Sequence, residues 1–223
     1  MAEKSELLVS HYQSTYELTY KLWGQRNRTF LILIAVIAVA TLLTFSAKDA
    51  TPLLVDWIAK LLDIDDKDRI EELNKGFPFA LLQGILLSVV FFLMVNLFHR
   101  ALYVLRNYAY LGALEREIRT SLSINNGVAF TRESEFYWSE RPKLLGTVKW
   151  FYVILLGGLL SAFVGGRLVS DFRDGAWLLV FVDLLFGIAI GTYFVGYARH
   201  SLQMDSKDAI APGTWARELA NGE

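Results

Sequence analysis

The sequence predicts an all-α integral membrane protein with four transmembrane helices, and three observations predict it. Apolar residues make up 54% of the 223-residue chain, and they are gathered into long runs instead of being spread with a surface-helix or strand period. Four such runs occur, over 29–47, 76–98, 150–169 and 176–198. Each is near the length of about 20 residues that crosses a hydrocarbon core of ~30 Å. Lys and Arg are also distributed unevenly. The N-terminal arm, the long middle section and the tail hold four, eight and three of them, whereas the other two connections hold five and two. By the positive-inside rule both termini and the middle section are cytoplasmic.

Composition excludes some chemistry. The absence of cysteine rules out disulfides and thiolates without identifying a redox compartment. The formal charge of −1 names no partner. Met1 is followed by a polar, acid-containing segment, so the first apolar run is expected to be retained and not cleaved as a signal peptide.

Residues 1–28 predict an amphipathic helix, with Leu8, Tyr12, Tyr16 and Tyr20 at i, i+4 spacing and Trp23 nearby. Such a helix packs on its own protein or rests among headgroups; the alternative is a docking helix for partner subunits. Residues 29–98 form a first transmembrane hairpin with an extracytoplasmic helical connection over 48–75. In that connection Thr51-Pro52 reads as a helix start, with Leu54, Trp57, Ile58, Leu61 and Leu62 making its apolar face. The acidic run from Asp63 to Asp68 lacks the Gly and Glu of a calcium loop and has Lys67 where an oxygen ligand is needed. It predicts a solvated turn and helix cap, followed by a short helix over Arg69–Asn74. The second span carries Gln83, Gly84, Ser88 and Asn96. Gly84, Ser88, Phe92 and Asn96 share one face, which predicts helix–helix hydrogen bonding or, alternatively, the lining of a pore or cavity.

Residues 99–149 form a helical cytoplasmic section. Helical spacing from Ala101 to Leu122 extends the second span as a stalk, with Glu115 and Arg119 as an i, i+4 pair. Asn125-Asn126-Gly127 predicts a turn, and Thr131 caps a short helix ending before Pro142. Arg132, Tyr137, Trp138, Arg141 and Lys143 cluster here. Cations beside aromatics hold phosphate and stack a base; the competing reading is interfacial aromatics with positive-inside cations.

Residues 150–198 form a second hairpin. Gly157, Ser161 and Gly165 make one small-residue ladder, and Gly158, Ala162 and Gly166 a second, for tight packing against the last span. Arg167 to Asp174 is read as the short connection. The last span holds one charge, Asp183, on a stripe with Gly187 and Gly191. Facing lipid, that carboxylate costs at least about 2.5 kcal/mol. It therefore faces water, is protonated, or pairs with Arg167 or Arg173. Residues 199–223 are a cytoplasmic tail with a short WARELA helix.

No nucleotide-binding, metalloprotease or nucleophile-elbow motif occurs, the three histidines are scattered, and only one acid lies within the spans. The expectation is a non-enzyme without cofactor or metal. The two hairpins show no internal similarity of the kind inverted-repeat transporters carry.

The opening YELTYKLWGQRNRTFLILIAVIAVATLLTF resembles the start of SLATT-type membrane effectors of bacterial antiphage systems. In these a Tyr-rich helix ending in R-N-R runs into the first span. The four-span layout is similar to the Kiwa membrane subunit and the Hailong channel effector. The resemblance implies an inner-membrane effector that opens a pore or disrupts the membrane on infection, under a cytoplasmic nucleotide-sensing or ligand-making partner. The expected partners are the bilayer, further copies of the chain (a tetramer being one candidate state), and a nucleotide, oligonucleotide or protein. A pore between protomers would be lined by Asp183, Asn96, Gln83 and Ser88. The alternative is a non-conducting anchor or sensor that recruits a cytoplasmic protein.

Overall fold

The computed structural model describes residues 2–45, 47–61, 63–64, 66, 68–70, 79–124, 129–131, 144–173 and 175–203. All regular structure among them is α-helical. The main elements are α1 (Ala2–Phe45), α2 (Ala47–Leu61), α3 (Phe79–Ser121), α4 (Leu144–Arg173) and α5 (Trp177–Gln203). Within α1, α3, α4 and α5, the stretches Glu6–Phe45, Leu81–Ser121, Thr147–Arg173 and Trp177–Leu202 are long and apolar enough to cross a membrane.

Three boundaries differ from those the sequence suggested. The arm and the first span are one helix: nothing between Arg28 and Leu31 breaks the i→i−4 ladder, and Thr29 returns its hydroxyl proton to the Gln25 carbonyl at 3.0 Å. α2 begins at Ala47, so Pro52 lies inside it and not at its start. Arg167 is not in a connection. α4 runs on to Arg173, which places Arg167 and Asp171 on the helix. The short helix expected from Arg69 is described only as far as Ile70. The Asn125–Gly127 turn, the helix after Thr131 and the tail helix lie outside the described residues.

The chain divides into two compact units. Unit 2 comprises Leu31–Val95 and Leu155–Tyr193. Its core repeats every three or four residues: Leu33, Ile37, Ala40 and Thr44 on α1; Gln83, Leu87, Val90 and Met94 on α3; Leu156, Leu160, Phe163, Arg167 and Asp171 on α4. This is the seam spacing of packed helices in a left-handed bundle. Two close approaches need a missing side chain. A Cβ on Gly166 would meet the Phe45 ring at 2.8 Å, and one on Gly187 would meet Val164 at 2.9 Å. Phe91 on α3 packs edge-on against Phe186 of α5.

The α4–α5 hairpin turns in the space of a helix cap. Ala176 N–H donates to Asp171 O at 3.1 Å and Gly175 N–H to Phe172 O at 3.3 Å. Gly175 has φ +69°. This is a Schellman ending, whose left-handed residue favours glycine.

Unit 1 comprises Met1–Phe30, Asn96–Ile154 and Phe194–Glu223. Its core continues the same seam on α3 through Leu97, Ala101, Val104, Leu111 and Ile118. On the described part of α1 in this unit Thr19, Thr29 and Phe30 are buried, while Tyr20 and Trp23 stack on each other and stay exposed. Glu115 is fully buried, not a surface partner of Arg119 alone: the Tyr12 hydroxyl donates to it at 2.9 Å.

Candidate functional site

The polar residues of unit 2 converge on one side chain. Arg167 is 1% exposed. Its Nε donates to Asp183 Oδ2 at 2.5 Å and its Nη1 to Gln83 Oε1 at 2.6 Å. Its Nη2 lies 3.5 Å from Asp171 Oδ2, one turn further along α4. One guanidinium thus ties α4 to α3 and α5, with two carboxylates and an amide carbonyl around it. Its planar fork of donors suits this; a lysine ammonium would not present the same geometry.

Each member occupies a core position of its own helix. Arg167 follows Leu156, Leu160 and Phe163 at seam spacing, and Asp183 precedes Ile190 and Tyr197 at sevens. Helical rotation therefore delivers the side chains to the interior. Pairing there replaces hydration that lipid does not supply. In a low-dielectric setting a pair with extra hydrogen bonds persists, whereas either charge alone is strongly disfavoured.

Beside this cluster lies a cleft of about 710 Å³. Leu81, Ile85, Val89 and Phe92 of α3 and Leu179 and Val182 of α5 form its walls; Arg167 and Asp183 reach its lining. Gly84 and Ser88 also border it. Ser88 gives its proton to the Gly84 carbonyl of its own helix at 3.0 Å, so it makes no helix–helix bond with that proton.

Four residues were expected to form one intramembrane polar set. The structure brings Asp183 and Gln83 together around Arg167, leaves Ser88 exposed at the cleft, and puts Asn96 in unit 1, half-buried. The glycine ladders also separate. Gly166 meets α1 and Gly187 meets α4, but a Cβ on Gly158, Gly165 or Gly191 would have nothing within 4 Å. Ser161 and Ala162 are exposed in the same stretch of α4. Half of that small-residue surface therefore does not pack within the protomer as expected, because α1 and α5 take only one side of α4. Arg132, Tyr137, Trp138, Arg141 and Lys143 lie outside the described residues.

Asp171 is the member that sequence reasoning missed, and Arg167, named there as one of two partners for Asp183, is read there as part of a connection and not of a helix. Their signal is the 4, 3, 4, 4 spacing from Leu156 to Asp171, which marks them as core. It was hidden because two charges so close to a turn read as loop. Among the described residues no three His, Asp or Glu side chains gather as a metal site. Compared with known proteins, the chain matches no family model, no curated protein and no solved structure.

Proposed function

We propose that this chain is a homo-oligomeric membrane effector of bacterial antiphage defence, in which ions pass between protomers and not through one. The observation that carries the location of the pathway is the closed Arg167–Asp183–Gln83 cluster. It pairs the acid of the last span with a cation inside its own protomer, which supports a reading in which Asp183 holds the bundle and the pathway runs elsewhere. The open row of Gly158, Ser161, Ala162 and Gly165 on α4 supports contact with a second copy, since small residues let backbones approach. The defence role rests on the resemblance of the first 45 residues and on the four-span layout. The proposed control is cytoplasmic, with a nucleotide-type ligand at Arg132, Tyr137, Trp138, Arg141 and Lys143, or a partner protein.

A second reading is favoured by the same cluster: a non-conducting anchor or sensor that recruits a cytoplasmic partner through the N-terminal part of α1. Ion flux from liposomes holding the purified protein, with and without candidate nucleotides, separates the two. Ligand-dependent flux that survives Asp183→Asn with unchanged selectivity supports a pathway away from Asp183. No flux from folded, inserted protein leaves the anchor. Because the chain has no cysteine, Ser161→Cys reports contact between copies cleanly: oxidation yields a disulfide dimer if the α4 rows of two copies meet, and monomer if they do not.

A further inference from the structure

We propose that unit 1 carries a basic collar that binds the anionic phospholipid headgroups of the adjoining leaflet. The inference requires the helices to span a membrane and is independent of whether the protein conducts. Residues 22–30, 96–105, 144–154 and 194–203 border unit 2 on the four long helices, and they contain Arg26, Arg28, Arg100, Lys149 and Arg199 without a single Asp or Glu.

Two of these cations are positioned by neutral amides. Arg26 donates through Nη2 to Asn27 Oδ1 at 2.9 Å, and Arg100 donates through Nη1 to Gln25 Oε1 at 3.0 Å. An amide carbonyl fixes a guanidinium without cancelling its charge. Arg28 and Arg199 are exposed. Around them Trp23, Tyr103 and Trp150 are 41%, 58% and 57% exposed, the aromatic company expected at headgroup level. The described residues of the segment after α1 contrast with this: Asp56, Asp63, Asp66 and Asp68 are all exposed there. Clusters of juxtamembrane cations attract acidic lipid, at about fivefold in affinity per cation near the surface.

The test uses full-length protein in neutral detergent, titrated with phosphatidylglycerol or phosphatidylcholine and read by native mass spectrometry for retained lipid. Phosphatidylglycerol is expected to bind at least about 30-fold more tightly, from about fivefold per cation, and added salt to reduce that margin. Arg28→Gln/Arg199→Gln removes two exposed charges and is expected to weaken phosphatidylglycerol about 30-fold, from about fivefold for each, with phosphatidylcholine unchanged. Equal binding of the two lipids overturns the proposal, as does a double variant that binds like the parent. Inorganic phosphate that displaces phosphatidylglycerol at matched ionic strength assigns the collar to a soluble phosphate ligand and also overturns it.

Discussion

In unit 2 a buried Asp183 meets a guanidinium at 2.5 Å; in unit 1 a buried Glu115 meets a phenol at 2.9 Å. Both acids sit at seam positions of long helices, so packing alone does not distinguish them. The difference lies in the partner. Arg167 joins three helices at one atom group, and removing it takes the cation from both Asp183 and Asp171. Tyr12 joins two helices through one hydroxyl, and its loss leaves Glu115 with its remaining contacts. Helix association in lipid lacks the hydrophobic drive available in water and relies on packing and polar contacts. Among the described residues, the buried interhelical contacts of unit 2 meet at Arg167, while unit 1 has Tyr12–Glu115, His11–Tyr110 and Arg100–Gln25 at separate places.

The comparison breaks most visibly at Arg167. Arg167→Met is expected to destabilise the folded protein by about 3–5 kcal/mol, the cost of stranding buried charge, seen as loss of the thermal unfolding transition in detergent. Adding Asp171→Asn and Asp183→Asn to that variant should recover much of the loss. No recovery would mean that the cluster acts through shape and not charge. Tyr12→Phe is the matching change in unit 1. It removes one hydrogen bond to an acid and should cost about 1.5–3 kcal/mol in the same assay. An effect as large as that of Arg167→Met would erase the distinction between concentrated and distributed contacts.

The smallest effects concern glycines. Gly187→Ala places a methyl 2.9 Å from Val164 and should cost about 1–3 kcal/mol. Gly191→Ala, one turn on, meets nothing within 4 Å and should be neutral, or gain up to about 1 kcal/mol of helix propensity. If Gly191→Ala instead lowers the midpoint, or abolishes dimers in the cross-linking assay, another copy covers that stripe.

The four long helices were legible because an apolar run near 20 residues has few other uses. The pairing of Asp183 was legible too, as one of two named cations, since an acid at that depth needs a reason. Its geometry is not, because the stretch from Arg167 to Asp174 reads as a connection and not as the end of a helix. Helices tolerate Arg and Asp in their last two turns when they have partners, and the partner residue Gln83 lies 84 positions away. The continuity of α1 was missed for a similar reason. A change from polar to apolar composition looks like a boundary, yet backbone hydrogen bonding does not depend on which side chains follow.

The Schellman turn at Gly175 has a consequence for how the chain enters a membrane. It leaves only residues 174–176 between α4 and α5, so these helices are antiparallel neighbours as soon as both are made. Inserted one at a time, α4 would carry Arg167 and α5 would carry Asp183 into hydrocarbon alone, at about 2.5–3.5 kcal/mol each on insertion scales. Inserted as a hairpin, the two charges enter already paired across 16 residues of chain. The tight turn thereby couples the order of biogenesis to the ion pair, and lengthening it with a flexible linker would delay insertion without altering the finished fold.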